Sequence, residues 1–162
     1  MNLRLGVPKE PENETRVGIV PSSMKKLLKA GFEVLVEKGA GVSANYSDAD
    51  YEAAGAKIVS RVDALACENI VCINFPGIEG ISENTNLACV ADPFRNPEYV
   101  RQCISSNITL MSMDMIPRRL SRAQSMDVNS SQDNLAGYKA VLLGAANVPK
   151  GIPMMTTSAG TV

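Results

Sequence analysis

Ser22-Ser23-Met24-Lys25-Lys26-Leu27-Leu28-Lys29-Ala30-Gly31-Phe32-Glu33-Val34-Leu35-Val36-Glu37 changes its period halfway along. Met24, Leu27 and Leu28 fall on one face of a 3.6-residue repeat, with lysines on the others. Ser22 or Ser23 can cap this run and Gly31 can stop it. From Phe32 to Glu37 the spacing switches to the alternation of a strand. A helix passing into a strand through a single glycine is the building unit of an α/β fold, and the rest of the chain repeats it.

Residues 3–7 read as a strand ahead of that unit. Gly39-Ala40-Gly41 marks a turn, and Ser47 with an acidic first turn opens a helix over 47–54. Further strands are predicted at 57–59, 70–74, 87–91 and 108–113. A short helix is predicted near 62–67, a longer one over 97–105, and a last one from about 131 to 146. Alternation of this kind predicts a single α/β domain of three layers, Rossmann-like or flavodoxin-like, with a mostly parallel sheet. No Gly-x-Gly-x-x-Gly and no Walker loop is present; Gly39-Ala40-Gly41 has no third glycine and no helix directly after it. The tail from Pro153 to Val162 is small, neutral and loop-like, and reads as a linker.

Composition removes several function classes. The 162 residues suit one domain with a real core. Net charge is −1, aromatics are scarce and Trp is absent, so neither an electrostatic surface nor a stacking platform for nucleic acid is offered. No apolar run approaches the roughly 20 residues of a membrane span, and the N-terminus lacks a signal-peptide pattern. The expectation is a soluble chain. Cys67, Cys72, Cys89 and Cys103 fit no zinc spacing and read as reduced, structural thiols. There is no histidine. Ser-His-Asp, Cys-His and His-ligated metal chemistry are therefore excluded, and no metal site is expected.

Three polar places remain as candidates. Arg119-Leu120-Ser121-Arg122-Ala123-Gln124-Ser125-Met126-Asp127-Val128-Asn129-Ser130-Ser131 is too polar for a core strand. Its guanidiniums and carboxamide make paired hydrogen bonds, which suits a planar ligand carrying its own amide, such as nicotinamide. It can equally be a solvated loop leading to a helix capped by Ser130 or Ser131. Lys9, Glu10, Glu14 and Arg16 follow the first strand, at the edge where open α/β sheets bind ligands; a charged surface loop is the alternative. Asn74-Phe75-Pro76-Gly77 ends another strand, either at the same edge or as a plain turn.

Leu5-Gly6-Val7-Pro8-Lys9-Glu10, Glu14-Thr15-Arg16-Val17 and Gly39-Ala40-Gly41-Val42 resemble the N-terminal domain shared by alanine dehydrogenases and proton-translocating NAD(P) transhydrogenases. The run from Met113 to Asp127, continued through Ser130-Ser131-Gln132-Asp133-Asn134-Leu135-Ala136-Gly137-Tyr138, is similar to the NAD(H)-binding domain I of the transhydrogenase alpha subunit. The resemblance implies that residues 1–152 are that N-terminal domain. Residues 153–162 then lead to a Rossmann subdomain, carrying the phosphate loop, that is absent from this sequence. Alanine dehydrogenases place a catalytic lysine where this chain has Asn74 and require a catalytic histidine, which favours the transhydrogenase branch. Asn129 stands where the family has an apolar residue.

Several expectations follow from the resemblance. Arg119, Gln124, Asp127 and Ser130 would contact the nicotinamide end of NAD(H), and would be both its binding and its catalytic residues. Arg119 and Asp127 could pair to fix the loop or bind the carboxamide. The complete enzyme would pass hydride from NADH to NADP+ bound on a partner domain III, coupled to proton translocation through a membrane domain, and domain I would be a homodimer. The chain would lie in a reducing compartment, on the cytoplasmic side of a membrane or in the mitochondrial matrix, peripheral to the bilayer. Alone it would be inactive and bind NAD(H) weakly. The rival readings are a non-catalytic assembly module and an alanine dehydrogenase-type oxidoreductase.

Overall fold

Six strands form one parallel sheet in the computed structural model, which describes residues 3–149, 156–158 and 160–161. In chain order they are β1 (Leu3–Val7), β2 (Phe32–Glu37), β3 (Lys57–Val59), β4 (Asn69–Asn74), β5 (Asn86–Val90) and β6 (Thr109–Ser112). Across the sheet they run β3-β2-β1-β4-β5-β6, each pair parallel. The chain builds outward from β1 to β3, then returns to the other flank of β1 and builds outward to β6. This is the Rossmann order, and its reversal sets a topological switch point between β1 and β4.

Register assigns the two faces. Leu5 lies opposite Val34 and Val7 opposite Val36. These four share a buried cluster with Met24 of α1 (Met24–Lys29) and Tyr51 of α2 (Asp48–Ala53). Gly6, one residue out of phase, sits opposite Leu35 and Ile70. Ile70, Cys72, Leu87 and Cys89 therefore face the other side, packed with Leu65 of α3 (Arg61–Leu65) and Cys103 of α4 (Pro97–Ser105). Both faces being covered, the strands read as near-continuous apolar runs. Each large side chain buried this way contributes about 1.5–3 kcal/mol. Tyr51 also donates its hydroxyl to the Ile19 carbonyl at 2.8 Å, and burial pushes its phenol up to about 12.

The glycines of the Gly39-Ala40-Gly41 turn have packing roles. Gly39 has φ +74° and donates its N–H to Asp48 at 2.8 Å. A Cβ on Gly41 would come within 2.5 Å of the Tyr51 ring. Only a single 3-10 turn, Val42–Ala44, follows.

Helix starts depart from expectation in two places. Neither Ser22 nor Ser23 caps α1. The chain enters through a 3-10 turn, Pro21–Ser23, and Ser23 is already helical at φ −82°, ψ −17°, not the extended backbone a cap needs. Ser47 does cap α2, in a reciprocal box with Asp50. All four cysteines are free and buried. Burial pushes the Cys67 and Cys103 thiols up; Cys72 is raised first by its hydrogen bond with Cys89 and then by burial.

The residues from Pro117 onward make a second compact unit. It holds α5 (Val128–Asn147), which starts earlier than the expected 131. Asp127, not Ser130 or Ser131, caps it, accepting from the Ser130 N–H at 3.0 Å. Leu135, Tyr138, Val141 and Leu142 of α5 are exposed. Within the expected linker, β7 (Thr156–Thr157) pairs antiparallel with β8 (Gly160–Thr161). Residues 153–155, 159 and 162 lie outside the described residues.

Gly6 is where α3 meets the sheet, since a Cβ there would stand 1.9 Å from the Ala64 carbonyl oxygen. Gly6→Ala is therefore expected to destabilise the protein by about 3 kcal/mol or more, as severe overpacking does. Thermal unfolding beside the wild type measures it, and an unchanged melting temperature would contradict the contact.

Candidate functional site

The switch point is built from the loops that leave β1 and β4. Between Val71 and Asn74 the pairing of β4 with β5 slips, two steps on β5 matching three on β4. Such a bulge leaves backbone donors without ladder partners. The Glu10 carboxylate takes them. It accepts from Ile73 N–H at 2.5 Å, from Asn74 N–H at 3.0 Å, and from the Asn74 side-chain amide at 3.1 Å. Glu10 is only 9% exposed, so this is a buried bracket between the ends of β1 and β4, not a surface-loop residue. Beside it lies a cavity of about 180 Å³ lined by Lys9, Glu10, Arg61, Cys72, Asn74 and neighbouring prolines.

The cations here are matched within the chain. Arg16 donates to Glu14 from Nε at 2.9 Å and Nη2 at 2.7 Å, and Glu14 also accepts from the Asn74 amide at 3.3 Å. Arg61 donates to Glu37 at 3.0 Å and to the Lys9 carbonyl at 3.1 Å. The Arg16 side chain holds the Glu14 carboxyl down to about 2, burial opposing and the Arg16 N–H and Asn74 amide assisting. A carboxylate so acidic is a poor general base at neutral pH. Lys9, Glu10, Glu14, Arg16 and Asn74 thus do come together at one sheet edge, but as an internally satisfied bracket. The signal for Glu10 lay in its place after a strand; its partners, more than sixty residues away, left none.

The polar run forms a tight loop in the second unit. Leu120 N–H donates to Pro117, Ala123 to Leu120, Met126 to Ala123, and Asp127 to Gln124, closing successive turns around the buried Ala123. Asp127 and Ser130 meet directly: the Ser130 hydroxyl and N–H both donate to the Asp127 carboxylate, at 2.5 and 3.0 Å. These bonds, the hydroxyl first, hold the Asp127 carboxyl below its usual range, with Arg118 assisting. The expected ion pair of Asp127 with Arg119 is not made; Arg118 stands there instead, at 3.6 Å. Arg119, Arg122 and Gln124 are exposed, and their side chains have no partner among the described residues. The loop is therefore folded by its backbone and by Asp127, while its planar donors and its carboxamide stay available.

Fold and switch point together define an open, doubly wound α/β protein of the kind that serves nucleotide-dependent enzymes. The model of the alanine dehydrogenase/PNT N-terminal domain family matches residues 6–136, and the chain belongs to that family. An NAD(P) transhydrogenase subunit alpha chain of Rhodospirillum rubrum is 43% identical over 99% of this chain and 44% of its own. A crystal structure of transhydrogenase from Sinorhizobium meliloti superposes with a TM-score of 0.89 at 39% identity, over 98% of this chain and 47% of that one. A structure of L-alanine dehydrogenase gives 0.68 at 31% identity, over 74% and 34%. The likeness is fuller on the transhydrogenase side, where the chain corresponds to the N-terminal part of the alpha subunit. It spans under half the length of the relatives it matches.

The Glu14 bracket has a pH signature. Its folded pKa of about 2 lies below its ordinary 4.5, so its stabilisation is complete above pH 4.5 and is lost as pH falls towards 2. Glu14→Gln is expected to cost on the order of 1–2 kcal/mol at pH 7, after allowing for solvent screening, and much less at pH 2. Denaturant unfolding at several pH values measures this. An equal loss at both ends of the range would contradict the assignment.

Proposed function

We propose that this chain is the N-terminal part of the NAD(H)-binding component of an NAD(P) transhydrogenase. In this reading its loop positions the nicotinamide of NADH for direct hydride transfer to NADP+. One observation carries it: a loop that satisfies its own backbone yet leaves the Arg119 fork and the Gln124 carboxamide free and exposed. Those donors and acceptors fit a planar amide. Bound NADH supplies the hydride. Gln124 orients the ring, Arg119 holds the carboxamide or the adjoining ribose and phosphate, and Asp127 with Ser130 keeps both on a fixed base. Holding donor and acceptor carbons in near-attack geometry can account for several kcal/mol of barrier.

The absence of proton-handling groups supports the same reading. Alanine oxidation releases a proton and passes through an imine, and so needs general acid–base catalysis. This chain has no histidine, and at the switch point the strongly acidic Glu14 and the neutral Asn74 offer no base. Hydride passing between two nicotinamides moves no separate proton in that step. By the same proposal, a Rossmann subdomain supplies the phosphate loop, a partner domain III binds NADP(H), and a membrane domain couples the transfer to proton translocation. Domain I is a homodimer peripheral to the bilayer, in a reducing compartment, and this chain alone is inactive. No described helix is itself long and apolar enough to cross a membrane.

The rival reading, a non-catalytic assembly module, draws on the exposed apolar residues of α5. Gln124→Asn in the complete enzyme separates the two. Shortening the side chain by one methylene withdraws the carboxamide from the ring while leaving phosphate contacts intact. Single-turnover hydride transfer is expected to slow about tenfold or more, with NADH affinity changed less than about threefold. Loss of affinity with transfer preserved would contradict the ring-positioning role, and an unchanged rate would favour the module.

A further inference from the structure

The geometry points to Arg118 as the positioning residue of this loop, a clamp that holds it shut so that Arg119 stays free for nucleotide. This rests on the function proposed above for the loop. The Arg118 guanidinium spans two carboxylates on the start of α5: Nε is 3.6 Å from Asp127 Oδ2, and Nη2 donates to Asp133 Oδ2 at 3.0 Å. Asp127 is the helix cap and only 6% exposed in its side chain; Asp133 lies further along the helix. Residues 119–126 therefore run between two points tied to one helix end, Arg118 on one side and Asp127 on the other.

The division of labour between adjacent arginines follows. A guanidinium engaged with Asp127 has fewer donors left for a ligand. Arg118 takes that carboxylate and adds a second, so the whole Arg119 fork is unengaged among the described residues. Arg118 and Asp133 are half or more exposed, at 52% and 70%, so the clamp contributes little to global stability and acts on local order of the loop. Being exposed, it is also weakened by salt.

Amide hydrogen exchange of residues 119–126 in the complete protein tests this, first without nucleotide and then with NADH. Arg118→Gln is expected to speed nucleotide-free exchange of the loop about three- to fivefold at low salt. High salt should move the wild type towards the variant. Arg118→Lys should recover part of the protection, since one ammonium can hold one carboxylate well but not two. Arg119→Gln should leave nucleotide-free exchange unchanged and instead reduce the protection that NADH adds. Wild-type exchange in Arg118→Gln would overturn the clamp, as would equal acceleration by Arg119→Gln. If Arg118→Gln speeds exchange but NADH protects nothing in the wild type, the clamp stands and the proposed function of the loop fails.

Discussion

Close contact between β1 and α3 at Gly6 is the constraint on which the doubly wound unit depends. A parallel sheet must bury both faces, and the central strand, flanked by β2 and β4, has the least room for adjustment. Having no side chain at residue 6 lets the α3 backbone come down on the second face, while Leu5 and Val7 fill the first. With α3 seated there, Leu65 reaches Ile70 and Leu87, and β4 is delivered to the far flank of β1. The switch point, and everything built on it, follows from that placement.

At the switch point the chain has turned a ligand-binding position into a structural one. Glu10 caps the bulged end of β4, Glu14 engages Arg16 and Asn74, and Glu37 engages Arg61. Each of these carboxylates is held by donors from the chain itself, and no group there is placed to accept a proton at neutral pH. The loop before α5 has the reverse character. Its backbone and its carboxylates are satisfied, while its planar donors are not. A site that must orient a ring without exchanging protons needs free hydrogen-bonding groups on a rigid base, and that is the combination found.

Much of this was legible in the sequence, and what was not has physical reasons. Strands such as Phe32–Glu37 and the helix Pro97–Ser105 follow from apolar period and punctuation alone. Tertiary pairs were not legible: nothing near Glu10 indicates that its partners are Ile73 and Asn74. Caps were harder still. Asp127, Ser130 and Ser131 are all good capping residues, and only backbone geometry, ψ 94° at Asp127, selects one. Choosing between Arg118 and Arg119 as the partner of Asp127 is the same problem, since neighbouring residues with identical chemistry differ only in where the turn puts them. Family resemblance located the loop, but it assigned the ion pair to the wrong arginine.

The most direct test is isotopic. NADH deuterated at the transferring C4 position is mixed with NADP+ and the complete enzyme, and the NADPH formed is analysed by mass. Direct transfer between rings, without a proton-handling group, is expected to carry the deuterium quantitatively into NADPH and to release none to water. Label lost to solvent, or reduction of NAD+ that depends on added alanine, would contradict the proposal that this chain positions nicotinamide for hydride transfer.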